Sequence, residues 1–388
     1  MIIKNITNQY LIESEENQYF DRKSARIKPA DILRHIVAFA NANGGVLAIG
    51  IEDNGEITGF DGMNAHKVNE FLEAPYLVDG NVKINYEERM IKNKKVLLFE
   101  IEPSENYVIK TKDSKVYLRV GDKSKLQTFE ERLQLNYDKG ERYFEDKAVP
   151  DATIDDIDMD FVKEYTDKID YGKSPQEYLK KNRGFIKEKD GEIQISTAAI
   201  LLFRKNPQNF FTRARIRFIR YEGTEEKFGT AMNVIKDVIF EGTLLNMINE
   251  AIVYLDTQVK ENTYLGPDGT FVTDEEYPKF VRQELIVNAV THRAYNITGT
   301  DIQIKMFDDH FTVESPGILP GLVRINNIRE FHFSRNPKIV ELLNEYDLVK
   351  EFGEGVDRVY RDMEEDSLPE PVYRQSEFML YATLKNKN

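Results

Sequence analysis

The 388-residue sequence contains no cysteine, which excludes disulfide scaffolds, thiolate zinc sites, iron–sulfur clusters and cysteine nucleophiles together. Histidine is scarce as well. The five histidines, at positions 35, 66, 292, 310 and 332, show neither H-x-x-x-H nor H-E-x-x-H spacing, so zinc-hydrolase chemistry has little support. His35 reads as a helix residue on a half-buried face. A G-x-S-x-G nucleophile elbow is missing. So is the phosphate-cradling G-x-x-x-x-G-K-[ST] loop, because Gly172-Lys173-Ser174 has Asp167 where the first glycine would stand, and a P-loop motor is thereby excluded. No stretch approaches ~18 consecutive apolar residues, and the opening MIIKNITNQYLIESEENQYF has no basic segment followed by an apolar run. A cytoplasmic protein with no membrane partner is expected.

Apolar residues make up 41% and charged residues 31% of the chain, which places it among globular proteins rather than disordered or fibrous ones. At a typical ~150 residues per domain, the length predicts two to three domains. A net charge of −14 argues at first against nucleic acid, but the charge is unevenly spread: residues 1–126 carry −1 and the remainder −13. Within the near-neutral part, Arg22, Lys23, Arg26 and Lys28 crowd together, and Lys92, Lys94 and Lys95 form a second group. Either patch would suit an anionic partner, and either would equally serve as solvated charge at a helix start or a hairpin turn.

Residues 31–42 place Ile32, His35, Ile36, Phe39 and Ala40 at helical spacing, and Asn43-Gly44-Gly45 supplies a stop. Gly44-Gly45 fits a phosphate-approach turn or a plain helix-to-strand reversal. VLAIGIED, Asn54-Gly55 and EITGF read as a strand, a hairpin turn and a returning strand. VKINYEER, VLLFEIEP and VYLRVGDKS add strand signals, the last as a closing strand. The expected fold class is α+β. A small α+β domain over residues 1–135 precedes a helical connector over 136–195 and a second domain over 196–388. In the second domain, helices are expected over about 239–259 and 280–295, then strands DIQIKMF and HFTVES, a helical stretch with a glycine break, and a final strand EFMLYATL.

Two constellations carry chemistry. Glu16, Asp21 and Asp53 would suit a divalent cation and phosphodiester chemistry if folding brought them together. Such an arrangement also arises by chance in a chain with 67 acidic residues. ENQYFDRK (16–23), the run AFANANGGVLAIGIEDNGEITGF (38–60) and VYLRVGDKS (116–124) resemble the AlbA-type domain of the Schlafen family over roughly residues 10–135. The resemblance implies a nucleic-acid-binding domain in which Glu16, Asp21 and Asp53 match the carboxylates of the nuclease members and Lys23 matches their lysine. Asp21 and Arg22 depart from the Glu-Phe of that pattern.

The second constellation lies in VRQELIVNAVTHRAY, where Glu284, Asn288 and His292 form one polar stripe on an otherwise apolar helix, suited to a ligand or to solvent. E-x-x-x-N-A is similar to the N box of the GHKL ATPases. Residues 196–385 resemble the GHKL-like region of bacterial proteins grouped as helicase-related or as transcriptional regulators. His292-Arg293, Ser315-Pro316-Gly317, Arg335-Asn336-Pro337 and Gly353-Glu354-Gly355 carry the likeness. It implies an α/β sandwich binding ATP, with Mg²⁺ held through Asn288 and an attacking water positioned by Glu284. Glu314 or Ser315 with Gly317 would stand near the base, and Gly353 and Gly355 near phosphate. Pro316 stands at a usual glycine position of that pattern.

These readings predict a nucleic-acid-binding regulatory protein with an ATP-binding GHKL-like domain, acting in transcription or defence, with Arg22, Lys23, Arg26 and Lys28 on phosphate. The GHKL likeness also implies a homo-oligomer, with a dimer as the expected form. One alternative is an endonuclease of RNA or single-stranded DNA, dependent on Mg²⁺ or Mn²⁺ held by Glu16, Asp21 and Asp53. Another is an interaction scaffold with a degenerate nucleotide pocket.

Overall fold

The computed structural model describes residues 3–104, 106–181, 184–189, 191–321, 323–330, 333–349 and 354–387. The chain divides into two compact units, Met1–Glu141 and Arg142–Asn388, and both mix helices with sheets.

The first unit is built on four strands, β1 (Phe20–Lys23), β2 (Gly45–Ile49), β3 (Ile84–Ile91) and β4 (Lys94–Ile101), in the order β1-β2-β4-β3. β1 and β2 are parallel, with Asp21 opposite Leu47, and the remaining pairs are antiparallel. Helix α1 (Asn8–Glu13) precedes β1, and α2 (Leu33–Asn41) bridges β1 and β2. β2 is buried on both faces, which explains its unbroken apolar run. Leu47 and Ile49 join Ile36 and Phe39 of α2 in one core, while Val46 and Ala48 meet Leu11 and Phe20 in another. The glycines between α2 and β2 serve the reversal: Gly44 has φ +68°, and a Cβ on Gly45 would come within 2.6 Å of the Phe39 ring.

Two strand expectations shrink in the structure. The return after Asn54-Gly55 is a single bridge between Ile51 and Ile57, because Gly50, at φ +100°, turns the chain out of the strand. The expected closing strand instead forms its own hairpin, β5 (Tyr117–Val120) with β6 (Lys123–Leu126). A helix α3 (Phe129–Asp138), capped reciprocally by Thr128 and Glu131, ends the unit.

In the second unit, α4 (Met159–Lys168) and α5 (Pro175–Lys181) bury Val162, Tyr165, Tyr178 and Leu179 in the same core as α6 (Thr197–Phe203). Most of the segment expected as a connector is therefore packed into this unit. Its six-stranded sheet uses β7 (Ile216–Tyr221), β8 (Val234–Phe240), β11 (Ile302–Met306), β12 (His310–Pro316), β13 (Val372–Gln375) and β14 (Met379–Lys385). The order is β8-β7-β11-β12-β14-β13, and β7–β11 is its parallel pair. Helices α7 (Leu244–Asp256), α8 (Lys279–Thr291), α9 (Pro337–Glu345) and α10 (Gly355–Glu365) complete it, and a hairpin of β9 (Glu261–Leu265) and β10 (Phe271–Glu275) sits between α7 and α8. The helix expected from residue 239 begins at Leu244, since Ile239 belongs to β8, and Thr243 caps it. No described helix is long and apolar enough to cross a membrane.

Candidate functional site

In the first unit, strand alternation places Asp21 and Lys23 on one face of β1 and Arg22 on the other. The loop before β1 brings Glu16 back to them, and the turn after β2 brings Asp53. The Lys23 ammonium lies 2.8 Å from Glu16 Oε1, 2.6 Å from Asp21 Oδ1 and 3.9 Å from Asp53 Oδ1. The three carboxylates thus gather around a cation that the chain itself supplies. Two buried groups absent from the sequence expectation hold Asp21 from behind: His35 Nδ1 at 2.9 Å and the Arg119 guanidinium at 2.5 Å, both on Oδ2. Arg119, on β5, also donates to the carbonyls of Asn17 and Phe20, which fastens the hairpin to β1. Arg34 Nε lies 3.1 Å from His35 Nε2, so Nε2 accepts and Nδ1 carries the proton given to Asp21.

Burial opposes ionisation of Asp21, but hydrogen bonds from His35 and Glu16 and the charge of Lys23 override it and hold the carboxyl well below its ordinary range. Burial, together with the contact to Asp21, pushes Glu16 up. Burial pulls down the Lys23 amine, yet its two carboxylates prevail and raise it. Burial likewise keeps His35 neutral against the pull of Asp21. A divalent ion fits this donor set poorly, because the Asp21 oxygens are already occupied and Lys23 sits where the metal charge would go. No group of three ligating side chains suited to a metal ion exists among the described residues.

The basic patch is split. Arg22 is buried, and its guanidinium donates to the carbonyls of Leu11 at 3.2 Å and Ile12 at 2.8 Å, so it secures α1 rather than facing a phosphate. Arg26 is exposed and pairs with Glu52 at 2.9 Å, and Lys28 is exposed at the head of α2.

In the second unit, a cavity of about 630 Å³ opens between α8, the end of β12, the segment after it, and the start of α10. Glu284, Asn288 and His292 all line it, as do Ser315, Gly317 and Gly355. Asn288 Nδ2 donates to Glu284 Oε1 at 3.0 Å. Burial pushes the Glu284 carboxyl up, with Asn288 and the charge of Arg358 acting against it. Ser315 faces α8, but its hydroxyl donates to the Ala289 carbonyl at 2.8 Å. Glu314 turns to the opposite face of the sheet and pairs with Lys305 at 3.2 Å, which removes it from the expected base contact; alternation along β12 is the cause. Gly317, at φ +128°, packs on Ala294. Gly353 lies outside the described residues.

Comparisons with known proteins fall on the same two regions. Residues 16–128 match the family described as "Schlafen, AlbA_2", and residues 299–384 match the family described as "Putative ATP-dependent DNA helicase recG C-terminal". The chain thus joins a Schlafen AlbA_2 domain to an ATPase-like C-terminal domain. The second match begins after α8, so the Glu284–Asn288 stripe precedes it. Among solved structures, the crystal structure of the DIP2311 protein from Corynebacterium diphtheriae is similar at 20% identity and a TM-score of 0.49, over 95% of this chain and 75% of that one. The search among curated proteins gave no match.

Proposed function

We propose that this protein is a nucleotide-responsive regulator that binds nucleic acid through its first unit and ATP through its second, in transcription or in defence against foreign nucleic acid. The observation that carries the reading is the cavity with the Glu284–Asn288 pair on its wall, in a chain whose other unit is a Schlafen AlbA_2 domain. Its volume lies in the range of small-molecule sites, and its walls are mainly apolar with a few convergent polar groups. Asn288 would hold Mg²⁺ together with phosphate oxygens and water, since Mg²⁺ takes few protein ligands in such sites. That ion would screen the phosphate charge from the Glu284 carboxylate. ATP binding would favour one of two arrangements of the segments around the cavity, and a dimer is the expected unit of such a switch.

The cation at the centre of the first unit's carboxylates favours binding over metal-dependent cleavage. Arg26 and Lys28 would meet the phosphate backbone, since Lys23 is taken up by Glu16, Asp21 and Asp53. The test uses labelled tRNA and DNA with Mg²⁺ or Mn²⁺, with and without ATP, for wild type, Asp53→Ala and Asn288→Ala. Retained full-length nucleic acid in a salt-sensitive complex, and thermal protection by ATP that Asn288→Ala abolishes, is the expected result. Cleavage that Asp53→Ala removes would replace this reading with the nuclease.

A further inference from the structure

The hydrogen-bonding capacity left over inside the cavity is concentrated at one end. His292 and Ser334 both line it, and His292 Nδ1 and Ser334 Oγ are buried with no partner among the described residues. Leaving a polar atom buried and unsatisfied costs about 1–3 kcal/mol, so each such atom in a native site calls for an explanation. Asn336 brings the two together: its Nδ2 donates to the carbonyls of Thr291 at 2.8 Å and Arg293 at 2.9 Å, stitching the segment that carries Ser334 to the chain on either side of His292. Glu284 and Asn288 lie two turns and one turn back along α8, roughly 12 Å and 6 Å from His292 at the helical rise.

We infer that His292 and Ser334 form a subsite for the polar edge of a neutral, planar heterocycle, and that they orient a purine nucleoside with its phosphate end toward Asn288. The inference rests on the nucleotide reading above and assigns its base contact. Three observations fix the chemistry. First, Ser315, where the family resemblance puts the base contact, donates its hydroxyl hydrogen to the Ala289 carbonyl and so offers a ligand acceptor capacity alone, not a donor. Second, the imidazole is held neutral, its pKa pushed down to about 4 by burial and by the charge of Arg335; Arg335 itself donates to the Ile318 carbonyl at 2.6 Å. A neutral imidazole offers one donor and one acceptor, and a hydroxyl offers both, which matches the mixed edge of a purine and not the all-acceptor surface of a phosphate. Third, the rest of the wall here is apolar, with Leu319, Ile328 and Phe333 available to cover a ring.

Binding of adenosine, ATP and inorganic tripolyphosphate, followed by calorimetry and by thermal shift, tests the assignment on wild type, His292→Phe, His292→Asn and Ser334→Ala. Phe keeps a ring and removes both nitrogens. Adenosine and ATP should bind His292→Phe about tenfold more weakly, the worth of one well-made hydrogen bond. Tripolyphosphate should bind it as it binds wild type, and His292→Asn should recover most of the loss. The ligand-free melting temperature of His292→Phe should not fall, because Nδ1 has no partner to lose. Ser334→Ala, which removes one atom, should weaken adenosine severalfold and serves if the ring substitution disturbs the fold. Unchanged adenosine binding in both variants, or an equal loss for tripolyphosphate, overturns the subsite while leaving the nucleotide reading standing. If neither adenosine nor ATP protects wild type, both fall.

Discussion

The Glu284 carboxylate lies so close against Gly355 that a Cβ at that position would collide with Oε1. Gly355 is the first residue of α10, so the carboxylate sits at the end of a helix where the backbone dipole favours negative charge. The glycine is required by this approach and not by its own backbone angles.

Gly355→Ala therefore sets two effects against each other. Alanine is better than glycine in a helix by roughly 0.5–1 kcal/mol. The clash pushes the end of the Glu284 side chain off Asn288 and forfeits that hydrogen bond, worth about 1.5–3 kcal/mol when one partner is charged. The substitution should lower stability by about 1 kcal/mol in urea unfolding, yet raise it by several tenths when made in a Glu284→Ala background. The same sign in both backgrounds would show that the contact does not govern position 355.

Asp21 should be the most sensitive position of the first unit. Its carboxylate satisfies Arg119 and Lys23, both buried or nearly so. Asp21→Asn would leave the buried Arg119 without its carboxylate and Lys23 with Glu16 as its near partner, and removing one partner of such a buried pair typically costs about 3–5 kcal/mol. The pH dependence follows from the direction of its shift. A carboxyl held below its ordinary value contributes stability above about pH 4, and that contribution is lost as the pH falls below it. Wild type should lose stability in that window, whereas Asp21→Asn should be unstable already at pH 7 and show a shallower acid limb.

Elements with strong periodicity were legible from the sequence: α2, α8 and the strands around them lie within a few residues of expectation. What the sequence concealed came from distant partners. Arg119 reads as an ordinary strand residue until β5 meets β1, 98 positions away in sequence from Asp21. His35 looks like a half-buried helix histidine until it meets the same carboxylate. Arg22 illustrates the reverse error, since a basic cluster in one dimension ignores that β1 is buried on both faces and that strand alternation turns Arg22 to the side opposite Asp21 and Lys23 and onto α1. The same alternation sends Glu314 away from the cavity that Ser315 lines. β8, VIKDVIF, is hidden in the sequence because Lys236-Asp237 interrupts its apolar residues and its end runs into the expected helix, while the β9–β10 hairpin, ENTYL and FVTDE, has only short apolar pieces.

Glu145 couples stability to pH in the opposite direction. It is almost fully buried, and its carboxylate accepts from the backbone N–H of Lys338 at 2.9 Å and Ile339 at 3.3 Å, capping α9 in place of the Asn336 side chain. Burial pushes this carboxyl up to about 7 despite those bonds. An acid raised in the folded state keeps a proton that the unfolded chain gives up above about pH 4.5. The contribution of Glu145 should therefore decline as the pH rises from about 4.5 to 7, by on the order of 3 kcal/mol, and then level off. Glu145→Gln cannot ionise, so the urea midpoint of wild type should fall relative to that of the variant as the pH rises from about 4.5 to 7, because the gain from the buried neutral His292 and His35 is common to both. A parallel decline in wild type and variant would assign the effect to another group.

The fate of the basic patch separates structure from recognition. If Arg26 and Lys28 each meet a phosphate, replacing either with alanine should reduce the salt slope of nucleic-acid binding by about 0.7–0.9, the counterion release expected for one contact. The lost affinity should be similar for every base sequence, because phosphate contacts position a complex without reading it. Arg22→Ala should behave differently. Its guanidinium ties the Leu11 and Ile12 carbonyls to β1, so its loss should lower the melting temperature and leave the slope of the remaining folded protein unchanged. Fluorescence anisotropy with labelled tRNA and duplex DNA, repeated across a salt series, measures all three. Unaltered slopes for Arg26→Ala and Lys28→Ala would move the nucleic-acid surface elsewhere on the unit.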